Sequence, residues 1–210
     1  MTPVLSAIPE LALFPLRTVL FPGGLLNLKV FEARYLDLMG SCLRENKPFG
    51  VIALKRGREV RVDADDDTGV TLEDTGTLAE LIDIDSSAAG ILHVRCRGTH
   101  RFTRGATTQR TDGLWLAQAT LLPDDEVELP GQQYLGTVRG LANAITTLKA
   151  QGAEPFLEPH LFDQAGWVSN RWCEILPISL AAKQKLMELP DPQVRLQLVD
   201  EFLRSKRVVT

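Results

Sequence analysis

A chain of 210 residues, 44% hydrophobic and 24% charged, has enough apolar material for one large or two modest cores and is globular rather than disordered in composition. Its formal net charge of -4 gives no general attraction to a phosphate backbone, so a nucleic-acid role would need a local basic patch. Cys42, Cys96 and Cys173 are far apart and odd in number, which argues against a disulfide framework or a zinc knuckle and fits a reducing compartment.

No apolar run reaches the roughly 20 residues of a membrane span. The N-terminus carries Glu10 and no basic lead, so a cytoplasmic location is expected. The first clear pattern lies at 25–30, where Leu26, Leu28 and Val30 alternate with Leu25, Asn27 and Lys29 and predict a half-buried strand. The period then changes without an ordinary loop. Phe31, Tyr35, Leu38 and Met39 recur at helical spacing, so the strand runs into a helix that ends near Gly40 or soon after it. The charged pentapeptide FEARY, residues 31–35, sits on that corner.

Further strands are expected at FGVIAL (49–54), around Ile82 and Ile84 after a start at Gly76, in GILHVRCRG between Gly90 and Gly98, and at LWLAQATLL (114–122). Many short strands separated by turns predict a mostly antiparallel β-barrel or folded sheet with one or two short helices. At Pro123 the acidic PDDEVELPG reads as a connector, which divides the chain into a β domain over 1–122 and a helical one over 123–210. Tyr134, Val138, Leu141, Ile145 and Leu148 form one helical stripe, and Val168, Trp172, Ile175 and Leu176 a second. Ser179 caps a third helix, and Asp191 with Pro192 opens a fourth. GAEPFLEPHLFDQAG is expected to be irregular. The fold class is therefore α+β, with a C-terminal α-helical bundle after the sheet.

The blocks LFPLRTVLFPGGLLNLKVFEARYLDLM, FGVIAL, GTLAELIDID and GTHRFTR, in this order and spacing, resemble the N-terminal substrate-binding domain of Lon proteases. LPISLAAKQKLMELPDPQVRLQLVDEFL resembles its helical close. The first block is the most specific, the family pattern being roughly L-P-L-F-P-L, V-L-F-P-G, P-L and F-E-P-R-Y-x-x-M. The chain departs from it at Asn27 and Ala33, where proline is usual, and at His100, where arginine is frequent. A complete Lon protease would continue into an ATPase and a serine-lysine peptidase. No G-x-x-x-x-G-K-[ST] loop occurs here, so a stand-alone Lon N-domain that is not an enzyme is expected. The resemblance implies a β domain of pseudouridine-synthase-and-archaeosine-transglycosylase (PUA-like) type. It also implies recognition of unfolded or exposed polypeptide segments, as an adaptor in protein quality control beside a protease or chaperone. No cofactor and no membrane are implied, and a homo-oligomer is compatible with it. The runner-up is an RNA-binding PUA-like module.

Catalytic and metal chemistry find little support in the residues. His93 and Cys96 point to opposite faces of a strand and His100 lies beyond Gly98, so they do not converge on a metal. Ser179 and Lys183 have the spacing of a dyad on a helix, but a serine at a helix start is better explained as its cap. Asp63, Asp65, Asp67 and Asp74 have calcium-loop spacing, but Gly69 falls one place late and a solvated loop is expected. Arg95, Arg97, Arg101 and Arg104 form the candidate nucleic-acid patch, with cross-strand pairing to Asp83 and Asp85 as the plainer expectation. Glu32, Arg34 and Tyr35 belong to the strand-to-helix corner and to the edge of a ligand groove. Trp167 and Arg171 lie off the apolar stripe of their helix and are expected partly exposed, as an anchor pair in a groove between the two domains.

Overall fold

The computed structural model describes residues 6–56, 69–88 and 90–209. The chain forms two compact units, Met1–Pro123 and Asp124–Thr210. The first contains β1 (Ala7–Leu16), β2 (Leu25–Val30), α1 (Ala33–Glu45), β3 (Phe49–Arg56), β4 (Thr71–Ala88), β5 (Ile91–Gln109) and β6 (Trp115–Leu121). The strands make one mixed sheet in the order β2-β5-β4-β3-β1-β6, with β6 pairing β5 as well. β1 and β3 run parallel and the remaining pairs antiparallel. The long β5 folds the sheet across itself: its first part receives β2 and its second part β6, while β4 follows its other edge. Among the described strands β2 alone has a single neighbour and stands outside the circuit that the β5–β6 pairing makes of the other five, so the six-stranded sheet as a whole is folded rather than a closed barrel.

The strand-to-helix corner forms as its period change predicts, with differences at both ends. Glu32 takes the N-cap position without a side-chain cap bond, and Phe31 lies outside the helix, 49% exposed rather than packed. α1 runs past Gly40 to Glu45, where Asn46 closes it in the left-handed region at φ 50°. The helix is held by what it buries. Tyr35, Leu38, Met39 and Cys42 enter a cluster with Phe14, Leu28, Phe49 and Val94, and each large side chain so buried contributes about 2 kcal/mol.

A second cluster holds Leu13, Ile52, Leu54 and Phe102. The Phe102 ring lies where a Cβ on Gly50 or Gly76 would sit, 2.8 and 2.7 Å from those positions, so these glycines make room for it. Gly98 does not end a strand. β5 passes through it, Gly23 N–H donates to its carbonyl and its own N–H donates to Gly24; the bare Cα lets the Phe21–Gly24 turn lie directly on the strand. In β4 the expected alternation of Ile82 and Ile84 breaks. The register with β5 shifts between Leu81 and Asp83, which turns Ile82 outward while Ile84 still packs on the core.

In the second unit a short 3-10 turn (Gln132–Tyr134) leads into α2 (Leu135–Ala150), followed by α3 (Ala165–Ile175), α4 (Leu180–Glu188) and α5 (Pro192–Ser205). α3 is central, meeting α2, α4 and most extensively α5. On α2 Thr137 is buried beside Leu141 and Ile145, where the apolar stripe pointed to Val138. Its backbone carbonyl accepts from Trp172 Nε1 (3.0 Å) and its hydroxyl donates to Asp200 (2.5 Å). Arg195 of α5 is 1% exposed and fully engaged. It donates to Asp125, Asn170 and the carbonyls of Leu186 and Leu189, so one guanidinium ties the connector, α3 and the α4–α5 junction together. Asp191 caps α5 through Gln193 and Val194 N–H.

Adding a methyl at Gly98 drives it into the carbonyl of Phe21. Gly98→Ala is expected to destabilise the β unit by about 1–3 kcal/mol, read as a lower urea midpoint at unchanged slope.

Candidate functional site

FEARY lies between two clefts of the first unit. Tyr35 stacks on Phe14 with ring centroids 4.0 Å apart and planes at 18°, which fixes α1 against β1. Burial pushes its hydroxyl up to about 12, although the neighbouring Arg34 favours ionisation. The Arg34 guanidinium lies 4.7 Å from the Tyr35 ring centroid. One nitrogen donates to Glu32 at 2.8 Å and another, also at 2.8 Å, to the Gly113 carbonyl in the β5–β6 turn. Arginine suits this place because its flat fork stacks on a ring and reaches a carboxylate and a carbonyl together. The corner therefore pins the start of α1 to the far hairpin.

The larger cleft, about 650 Å³, has Arg34 on its wall and an apolar floor of Leu11, Ala12, Leu38, Leu114 and Leu116. Its rim carries both signs, and much of the charge is already paired: Lys47 with Glu45 at 2.6 Å, Arg110 with Asp112 at 2.9 Å. The smaller trough, about 300 Å³, runs along β2 and is bounded by Phe14, Leu16, Glu32 and Tyr35. Glu32 and Tyr35 thus face one recess and Arg34 the other.

Trp167 and Arg171 do not form an exposed anchor. They are 8% and 0% exposed, because every residue of α3 from Ala165 to Cys173 is buried. The 152–164 segment, irregular as its composition suggests, supplies Phe156, His160 and Phe162 around the Trp167 ring. Arg171 pairs with Glu174 at 2.8 Å. An apparent off-stripe face on a helix buried all round is core.

The arginines of the nucleic-acid patch are divided by the fold. Arg95 and Arg97 are exposed, with Asp83 and Glu80 directly opposite them on β4. Arg101 is 3% exposed and donates to the Pro123 carbonyl. Arg104 donates to the Leu72 and Glu73 carbonyls and to Asp74 at 2.8 Å.

The catalytic alternatives separate in the same way. Ser179 accepts from Ala182 N–H as a cap, and Lys183 donates instead to the Glu174 carbonyl. His93 is exposed and Cys96 buried, on opposite faces of β5. Asp63, Asp65 and Asp67 lie outside the described residues; Asp74 is engaged by Arg104. Among the described residues no cluster of three or more His, Cys, Asp or Glu is placed to hold a metal. Burial pushes the Cys42 thiol up to about 11 and those of Cys96 and Cys173 up to about 12, away from the thiolate that nucleophilic chemistry needs. No described helix is long and apolar enough to cross a membrane.

A folded mixed sheet with a strand-to-helix corner walling two apolar-floored recesses is the framework of a binding domain. The chain belongs to the ATP-dependent protease La (LON) substrate-binding domain family, whose model matches residues 10–205. It is similar to Lon protease 2 of Myxococcus xanthus, 25% identical over 209 residues that cover 96% of this chain and 24% of that protein. A Lon protease of Xanthomonas oryzae pv. oryzae is 26% identical over 199 residues, 90% of this chain and 22% of that protein. The chain thus spans about a quarter of the length of these relatives. The crystal structure of a Lon N-terminal domain protein from Xanthomonas campestris superposes with a TM-score of 0.71 at 30% identity, covering 91% of this chain and 97% of that one. The N-terminal domain of the Mycobacterium avium complex Lon protease shares the fold alone, with a TM-score of 0.58 at 14% identity.

Arg34→Lys loses the fork that joins Glu32, the Tyr35 ring and Gly113. It is expected to cost about 1–2 kcal/mol of stability in urea unfolding. With thiols buried and protonated, iodoacetamide at pH 8 should leave Cys42, Cys96 and Cys173 unmodified in the native protein and label all three in denaturant, as read by intact mass.

Proposed function

We propose that this protein recognises unfolded or exposed polypeptide segments on the β unit, through the recesses on either side of FEARY, with Glu32 and Tyr35 contributing to one and Arg34 to the other. The observation that carries this reading is the make-up of the larger cleft. Its floor is apolar and its rim charges are of both signs, half of them paired with each other as Lys47–Glu45 and Arg110–Asp112. Such a surface rewards burial of apolar side chains and discriminates little by net charge, as a reader of non-native chains requires. Membership of the substrate-binding family supports the same reading. An adaptor role in protein quality control, delivering bound segments to a protease or chaperone, follows from it as part of the proposal.

RNA binding through β5 is disfavoured by the same geometry. Arg101 and Arg104 are committed to internal acceptors, and acids stand opposite Arg95 and Arg97, which leaves little unbalanced positive field for a phosphate backbone.

Fluorescence anisotropy of a labelled, permanently unfolded polypeptide, titrated with this protein at physiological salt with structured RNA as competitor, tests the proposal. Saturable binding that RNA does not displace, unchanged in an Arg95→Glu, Arg97→Glu double variant, is the expected result. Absence of polypeptide binding, with RNA binding lost in the double variant, would transfer the function to β5.

A further inference from the structure

The trough beside β2 is bounded by a row of backbone groups as well as by side chains. β2 is the one described strand with a single neighbour; β5 pairs one of its edges from Leu25 to Val30. Gly98 N–H donates to the Gly24 carbonyl, which sets the phase of that ladder. In an antiparallel pair hydrogen-bonded and non-bonded positions alternate, so Leu26, Leu28 and Val30 bond to β5. The N–H and C=O of Asn27 and Lys29 then turn to the opposite edge. No described strand pairs with that edge, and the trough lies along it. Across the trough stands the end of β1, Phe14 to Leu16, which β6 leaves beyond Leu13.

From this geometry we infer that the seam between β2 and the end of β1 accepts an extended polypeptide segment as an added β-strand, bound chiefly through the main-chain groups of Asn27 and Lys29. The inference rests on the polypeptide-recognition reading and gives it a mode. Unpaired strand donors and acceptors at ladder spacing are complementary to another extended backbone. The side-chain environment alternates to match. Leu26, Leu28, Phe14 and Leu16 face the trough's apolar side, whereas Asn27 and Lys29 are exposed.

Charge refines the occupant. Lys29 makes no ion pair among the described residues, and the outward row beyond it runs through His93 to Asp85. The incoming strand therefore has apolar residues inward and a carboxylate outward beside Lys29. A second copy of the chain fits less well. Six residues of β2 span about 20 Å, too short an edge for the roughly 1,200 Å² or more of a stable protein interface, and pairing two such edges would bring two Lys29 ammonium groups together.

Recognition by main chain suits a reader of unfolded chains, because every polypeptide carries the recognised groups and only the folded ones hide them. Because β5 does not use the Asn27 N–H, a proline there removes that donor and leaves the ladder in place.

The test displaces the labelled unfolded polypeptide with eight-residue peptides alternating valine with threonine and glutamate, either unmodified or N-methylated on one or the other alternate set of residues. Strand addition predicts that the unmodified peptide competes, that methylating one set weakens competition at least tenfold, and that methylating the other set leaves it unchanged. Asn27→Pro should weaken binding of the unmodified peptide by about tenfold at unchanged circular dichroism. Amide exchange at Asn27 and Lys29, but not at Leu28, should slow on binding. If the labelled polypeptide does not bind at all, the polypeptide reading falls and this inference with it. If it binds and the methylated and unmethylated peptides compete alike, or none competes, strand addition is overturned while polypeptide recognition stands.

Discussion

The seating of α1 on β1 is the constraint from which the β unit takes its usable surface. The stacked Phe14–Tyr35 pair sets the distance of the helix from the sheet, and Arg34 fixes its rotation by reaching the β5–β6 turn. Both recesses are what is left over on either side of that contact. The pentapeptide therefore sets both the seating of the helix and the walls of the two recesses, because the packed rings leave little slack.

The helical unit is organised differently, around a charge. Arg195 places its whole donor set inside the protein, and its partners lie on three segments: the connector, α3 and the α4–α5 junction. A buried guanidinium is costly unless all its hydrogen bonds are made. Because they are made to Asp125, Asn170 and the turn between α4 and α5, the contact selects one arrangement of those segments over others with similar apolar packing. The side chain of Asp125 lies where a Cβ on Gly166 would stand, so this contact also accounts for the glycine in the first turn of α3.

What could be read from residues alone followed local physics. The strand-to-helix change after β2 and the caps at Ser179 and Asp191 depend on neighbours within a few positions; the caps appear where the residues place them, and the helix opens two residues past Phe31. The six-stranded sheet is mixed because β1 and β3 run parallel, an arrangement with no short-range signature. The features that escaped depend on distant partners. Trp167 and Arg171 look surface-facing on a helical wheel, yet the irregular 152–164 segment covers them, and its packing has no periodicity to reveal it. Gly98 resembles a strand terminator and is instead the point where another backbone crosses. Ile82 breaks alternation because of a register shift. Nothing in the sequence distinguishes Arg195, a keystone, from Arg95, a solvated residue on a strand face.

The register of β1 on β6 carries a consequence for how the chain reaches this state. Ala7 pairs with Thr120 and Leu11 with Ala117, while Leu25 of β2 finds its partner in Arg97 of β5. Contacts so distant along the chain form late and make folding slow. On a ribosome, β2 would emerge and wait unpaired until β5 had followed it, and the edge of β1 that faces β6 would wait until β6 was made, although β3 can pair its other edge sooner. The chain thus spends part of its own nascent life presenting open edges of two extended segments, Ala7–Leu16 and Leu25–Val30, to whatever else in the cell binds them.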